Sequence, residues 1–159
     1  MKESAQAAYS YVRANAQKLG LDPTFYKKLD IHVHVPAGAI PKDGPSAGVA
    51  MITAIVSLLT NIPVKEAVGM TGEISLRGSV LPIGGLKEKS TAAHRAGLKH
   101  ILAPAQNEKD LDDIPEKVLK DLKISFVKDV SEVLNISLGL ENNKVTKPHK
   151  DQPIVSAEA

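Results

Sequence analysis

The sequence contains no cysteine and no tryptophan, and aromatic residues make up only 3% of its 159 positions. Without cysteine, the chain has no disulfide framework, no thiolate zinc site, no iron–sulfur cluster and no cysteine nucleophile. The scarcity of aromatic side chains argues against a surface that stacks nucleic-acid bases or sugar rings. Any chemistry must therefore rest on hydroxyl, amine, carboxylate or imidazole groups.

Neither sign of charge dominates, because 20 Lys and Arg residues stand against 18 Asp and Glu residues, a formal net charge of +2. This balance, without a basic cluster, argues against nucleic acid as a partner. The most apolar run, residues 49–59, is interrupted by Thr53 and Ser57 and is too short to cross a bilayer. The chain does not open with a signal-peptide pattern. We therefore expect no membrane partner and a protein of the cytoplasm, with the mitochondrial matrix as the alternative.

Hydrophobic periodicity predicts helices that alternate with strands. Helices are predicted over residues 3–19, 46–60, 86–96, 110–122 (split at Pro115) and 130–138. Strands are predicted over residues 30–35, 67–72, 73–78, 99–103 and 124–128, and a strand or a turn over residues 79–85. This order predicts an α/β (or α+β) fold, with a small mixed sheet and packed helices. The polar, aperiodic residues 139–159 are expected to form a flexible tail after a domain that spans residues 1–138.

The segment Asp43-Gly44-Pro45-Ser46-Ala47-Gly48 joins a loop rich in Gly and Pro to the most apolar helix. One interpretation is structural, because serine often caps a helix N-terminus. The other is functional, because the free amides at a helix start stabilise negative charge on a phosphate or an oxyanion. The local sequence leaves both interpretations open.

A serine nucleophile needs a base, and the sequence offers histidines and lysines. His32 and His34 share one face of a predicted strand, where they form its polar side. Lys87 and Lys89 lie about 200° apart on a predicted helix, so only one of them can point inward. No pair of histidines has metal-ligand spacing with a third carboxylate, so we expect no metal site.

Three segments, PKDGPSAGVAM, MTGEISLRGSVLPIGGLKEKSTAAHRAG and NEKDLDDIP, closely resemble the proteolytic domain of the ATP-dependent Lon proteases of bacteria and mitochondria. The resemblance runs from about Lys2 to about Leu138. It implies the Lon proteolytic-domain fold and an ATP-dependent serine endopeptidase that degrades unfolded, damaged or regulatory proteins, as a hexameric ring when full length. The sequence contains no Walker-type loop, so ATP and Mg²⁺ would belong to an ATPase module outside this chain, and we expect no cofactor within it. The family's domain also begins with strands that this chain lacks.

The resemblance implies roles for particular residues. Ser46 would be the nucleophile, Lys89 would be its general base in a Ser–Lys dyad, and Thr71 would orient that lysine. The residues expected to support the active-site loop are Asp43, His32 and His34.

Two other functions stay open at this point. A phosphate-binding domain of the kind found in small-metabolite kinases would use the loop before Ser46 to hold phosphate. An inactive domain would serve only as an assembly platform.

Overall fold

A computed structural model describes residues 1–35 and 44–140 and confirms the predicted α/β class. The helices are α1 (Lys2–Ala14), α2 (Gly48–Thr60), α3 (Leu86–Arg95), α4 (Glu116–Asp121) and α5 (Val130–Leu138). The strands are β1 (Val68–Met70), β2 (Glu73–Ile74), β3 (Val80–Leu81), β4 (His100–Pro104) and β5 (Lys123–Val127). Two 3₁₀ segments cover Phe25–Lys27 and Ala105–Asp113. Within these two stretches, no helix is long and apolar enough to span a membrane.

The strands form two small sheets. β1, β4 and β5 form a parallel sheet in the order β1-β4-β5, with Val68 beside His100 and His100 beside Lys123. β2 and β3 form an antiparallel hairpin. Because the three parallel strands run in one direction, their carboxyl ends lie at one edge of the sheet, where ligands bind in open α/β folds.

The core lies on both faces of the parallel sheet. On one face, Leu102 of β4 and Val127 of β5 pack in a cluster with α1, α2 and α5. On the other face, Ile101 and Ala103 pack in a cluster with α3 and α4. Successive strand residues point to opposite faces, which explains this alternation. Each fully buried Leu or Val side chain contributes about 1.5–3 kcal/mol to folding.

Two predicted elements differ from the structure. Residues 30–35 were expected to form a strand, but they pair with no strand in the described part of the chain, and Val33 and Val35 are exposed. The alternation of apolar residues is present there, but a strand also needs a neighbouring backbone to pair with. The first helix ends at Ala14 instead of residue 19, and residues 15–20 form turns that end at Gly20, whose φ is +72°.

Helix α2 is less enclosed than its composition predicts. Val49, Ile52 and Val56 are buried on one face. The opposite face is exposed at positions 50, 54 and 58, and Leu58 is 66% accessible. This face and the extended residues 31–35 line a groove of about 390 Å³, which we call the α2 groove. The apolar composition of residues 46–60 favours a helix buried on most faces, and the exposed side of α2 shows that this interpretation is wrong there.

Gly78 occupies a turn that only glycine fits. Its φ is +95°, and a Cβ built at this position would overlap the ring of Tyr11. The Gly78 carbonyl also accepts the N–H of Val130, which ties the hairpin to α5. Burial and the nearby Asp129 carboxylate raise the pKa of Tyr11, in keeping with this packed position.

We expect Gly78→Ala to lower the free energy of unfolding by about 3 kcal/mol. The left-handed backbone contributes about 1–2 kcal/mol, and the overlap with Tyr11 adds about 1–3 kcal/mol. Urea denaturation measures this change. Gly97→Ala is the matched control, because Gly97 has a φ of +79° but no atom within 4 Å of its built Cβ. Equal losses in the two variants would contradict the prediction.

Candidate active site

Ser46 lies in the turn that leads into α2. The N-cap of α2 is Ala47, without a side-chain cap bond, so the interpretation of Ser46 as a helix cap is wrong. Tertiary contacts explain this difference, because the Ser46 carbonyl accepts hydrogen bonds from the segment after β1 and the helix starts only two residues after Ser46. The half-buried Ser46 hydroxyl makes no hydrogen bond to any residue that the structure describes.

The Ser46 turn is attached to the residues that follow β1. The Gly72 N–H donates to the Ser46 carbonyl at 2.9 Å, and Thr71 Oγ1 donates to the same oxygen at 3.4 Å. In return, the Val49 N–H donates to the Gly72 carbonyl at 3.1 Å. We call these three bonds the Ser46 clamp. Because the Thr71 N–H donates to the carbonyl of Leu102, the clamp holds Ser46 at the carboxyl edge of the parallel sheet.

The other side of the turn contacts α1. The buried Ser4 hydroxyl donates to the Pro45 carbonyl at 3.3 Å. The backbone N–H groups of Ser46 and Ala47 make no hydrogen bond within residues 1–35 and 44–140. Unpaired amides beside a serine hydroxyl are the donors that an oxyanion requires.

Lys89 lies in the first turns of α3, which follows Gly84 and Gly85. Its side chain is half-buried, and its Nζ donates to the Gly84 carbonyl at 2.8 Å, whereas Lys87 is exposed. In the described part of the chain, no hydrogen bond joins Lys89 to Ser46 or Thr71. The structure thus joins Thr71 to Ser46 and leaves Lys89 bonded to Gly84.

Asn107, which the sequence did not indicate, anchors the turn that precedes α3 and Lys89. It is 2% exposed, its Oδ1 accepts the Ile83 N–H at 3.0 Å, and its Nδ2 donates to the Ile83 carbonyl at 2.8 Å. These two bonds fix the turn just before Gly84 and α3. The only sequence signal was its place in the segment NEKDLDDIP.

No histidine in the described part of the chain makes a hydrogen bond to Ser46. His32 and His34 are exposed and line the α2 groove, near Ala47. His100 begins β4, at the sheet edge opposite the Ser46 clamp, where Ser125 Oγ lies 2.8 Å from its Nε2. Burial and the nearby Lys123 and Lys65 lower the pKa of His100. Asp43, the remaining predicted supporting residue, lies outside the described residues.

An ion pair fixes the end of α3. His94 Nε2 lies 2.9 Å from Asp121 Oδ2 of α4. The hydrogen bond from His94 lowers the pKa of the Asp121 carboxyl, and the charges of His94, Lys99 and Lys117 act in the same direction. Across residues 1–35 and 44–140, no three His, Asp or Glu side chains are grouped so that they could hold a metal ion.

Comparisons with known proteins point to one family. The family model of the Lon protease (S16) C-terminal proteolytic domain matches residues 1–139. Over 138 residues, or 87% of this chain, the sequence is 63% identical to the Lon protease of Bacillus thuringiensis (strain Al Hakam), of which it covers 17%. It is 62% identical to the Lon protease of Escherichia coli (strain K12) and 60% identical to Lon protease 1 of Bacillus subtilis (strain 168). Each of those two alignments covers 87% of this chain and 18% of the relative. The chain thus spans less than a fifth of these relatives.

Proposed function

Because the chain belongs to the family of Lon protease (S16) C-terminal proteolytic domains, we propose that it hydrolyses peptide bonds with Ser46 as nucleophile and Lys89 as general base. One observation supports this proposal above the others. The Ser46 hydroxyl is unbonded within the described residues, while the Ser46 carbonyl is held by the clamp. The fold therefore fixes the backbone of this serine and leaves its oxygen free.

The reaction proceeds in two halves. Ser46 Oγ attacks the carbonyl carbon of the scissile bond as Lys89 Nζ takes the hydroxyl proton. The N–H groups of Ser46 and Ala47 stabilise the oxyanion. The tetrahedral intermediate breaks its C–N bond, and Lys89 returns the proton to the leaving amine. Water then attacks the acyl-enzyme and gives a proton to Lys89. The Ser46 Oγ–C bond breaks as Lys89 returns this proton to Ser46 Oγ, which releases the acid product and restores both residues.

Lys89 needs a change of partner to act in this way. Its Nζ donates to the Gly84 carbonyl, and the nitrogen of a base must lie within about 2.6–3.2 Å of the oxygen whose proton it takes. We propose that the four-carbon lysine side chain exchanges Gly84 for Ser46 Oγ when a substrate binds. Thr71, already bonded to the Ser46 carbonyl, is proposed to orient the lysine after this exchange.

The length of the relatives bears on the wider function. Since these relatives are more than five times as long as the aligned region, we propose that an ATPase module outside this chain binds ATP and Mg²⁺ and feeds it unfolded polypeptides. We propose further that full-length copies form a six-membered ring in the cytoplasm. The relatives named above are Lon proteases of bacteria, and their names support this proposal.

A serine-reactive probe tests the proposed function. We expect a biotinylated fluorophosphonate to label the folded chain at Ser46, which mass spectrometry of the digested protein would locate. Ser57 should stay unlabelled, because its hydroxyl donates to the Ile62 carbonyl at 2.6 Å. Absence of label at Ser46, together with thermal stabilisation by a nucleotide, would favour a phosphate-binding domain.

A further inference from the structure

Two glycines meet where α2 approaches the segment after β1. A Cβ at Gly48 would lie 3.0 Å from the Ile74 nitrogen and 3.3 Å from the Gly72 carbonyl oxygen. A Cβ at Gly72 would lie 2.9 Å from Val80 Cγ1 and 3.1 Å from Val49 Cγ1. Neither position therefore accepts a side chain unless its neighbours move.

The backbone conformation does not explain these glycines. Neither Gly48 nor Gly72 has a φ in the left-handed region, where glycine is favoured for its own flexibility. Crowding is the remaining reason for a residue without Cβ. A Cβ at Gly48 would meet backbone atoms of Ile74 and Gly72, whereas a Cβ at Gly72 would meet the side chains of Val80 and Val49. Val49 and Gly72 are also joined by one of the bonds of the Ser46 clamp.

The Ser46 clamp replaces a helix cap. The first amides of a helix need acceptors from outside the helix, and no side chain caps α2. The Gly72 carbonyl instead accepts the Val49 N–H, while the Gly72 N–H holds the Ser46 carbonyl. The position of the Ser46 backbone is therefore set by the peptide groups of residue 72.

We propose that Gly72, with Gly48 facing it, is a positioning residue for the Ser46 nucleophile. Its missing side chain lets the peptide after β1 lie against the start of α2 and hold Ser46 at the sheet edge. A side chain at this position would separate the two segments and shift Ser46. A misplacement of about 1 Å lowers a reaction rate about 10²-fold. This inference rests on the proposed role of Ser46.

The test compares Gly72→Ala with Gly69→Ala, substitutions at two glycines on either side of Thr71. We expect Gly72→Ala to lower the maximal rate of Ser46 labelling by an uncharged fluorophosphonate at least about tenfold. The probe concentration for half-maximal rate should not change, because the clamp holds the nucleophile and leaves the probe's binding surface as it is. Gly69→Ala is the matched control. Gly69 lies on β1, and a Cβ there would be equally crowded, 2.7 Å from Leu98 Cδ1, but it would contact no residue of the Ser46 clamp. Its labelling rate should stay within about twofold of wild type.

The outcomes separate this inference from the proposed function. If wild-type Ser46 is not labelled, the proposed function is wrong. If wild type is labelled and folded Gly72→Ala reacts equally fast, the positioning role is wrong. It is also wrong if Gly69→Ala lowers the labelling rate as much as Gly72→Ala does, because any disturbance of β1 would then explain the loss. Circular dichroism and thermal unfolding establish folding. Should Gly72→Ala not fold, Gly48→Ala crowds the same contact from α2 and is expected to show the same loss.

Discussion

Ser46→Ala is expected to lower kcat/KM for peptide cleavage at least about 10³-fold, because no other group would supply the attacking oxygen. Its free energy of unfolding should change by less than about 0.5 kcal/mol. The small effect on stability follows from the structure, in which the Ser46 hydroxyl neither caps α2 nor bonds to a described residue. A fluorogenic peptide and urea denaturation measure the two quantities, in whichever assembly of the protein cleaves peptides.

Ser57→Ala is the control, and we expect it to lower stability without lowering peptide cleavage. The Ser57 hydroxyl donates to the Ile62 carbonyl just after α2. Its removal should cost about 1 kcal/mol of stability and leave peptide cleavage unchanged. The nucleophile is misassigned if Ser46→Ala keeps more than about a tenth of wild-type activity.

Lys89→Met is expected to lower kcat/KM at least about 10³-fold, because the thioether cannot take the Ser46 proton. Methionine is flexible and apolar and fills the space of the lysine stem. The substitution removes one hydrogen bond of the half-buried side chain, to the Gly84 carbonyl. The free energy of unfolding should therefore change by no more than about 1 kcal/mol. The same peptide assay and urea titration apply.

Lys87→Met controls for loss of a positive charge at the start of α3. Lys87 is exposed and lies two residues away on the same helix. We expect its activity to stay within about twofold of wild type. The assignment of the base would be overturned if Lys87→Met lost cleavage and Lys89→Met kept it.

The elements that the sequence predicted well are those with local signals at their ends. Helix α5 begins after Asp129, whose Oδ1 accepts the Ser131 N–H, and it covers the predicted residues 130–138. Helix α3 ends before Gly97, whose φ is +79°. Caps and left-handed glycines act within a few residues. A single sequence therefore contains the information that places them.

The failures concern contacts between distant segments. The alternation in residues 30–35 is clear, but nothing local says whether a strand will pair with it. Ser46 has the residue type of a cap, yet its carbonyl bonds to Thr71 and Gly72, 25 and 26 residues later. Asn107 likewise acts on Ile83, 24 residues earlier.

The site residues, too, could be predicted only in part from the local sequence. Composition and spacing left Ser46 open between a cap and a nucleophile, and they offered two lysines. The resemblance to a family selected Ser46, Lys89 and Thr71, and these roles remain predictions for mutagenesis. The bonds of the Ser46 clamp came from the structure alone. Two of the three join backbone groups, which leave no pattern of residue types, and the third joins the Thr71 hydroxyl to a backbone carbonyl 25 residues earlier.

The long-range nature of the Ser46 clamp has a consequence for biosynthesis. The contacts around the serine join residues 41 and 25 positions apart, and contacts of this kind form only after large loops have closed. A nascent chain that has emerged as far as residue 60 contains Ser46 and α2, but it has neither Thr71 nor Gly72 to hold the turn. Lys89 lies further along the chain and has not yet emerged. On the proposed roles of Ser46 and Lys89, the serine is therefore exposed before its base and its clamp are in place, and an unfinished copy does not cleave the polypeptides around it.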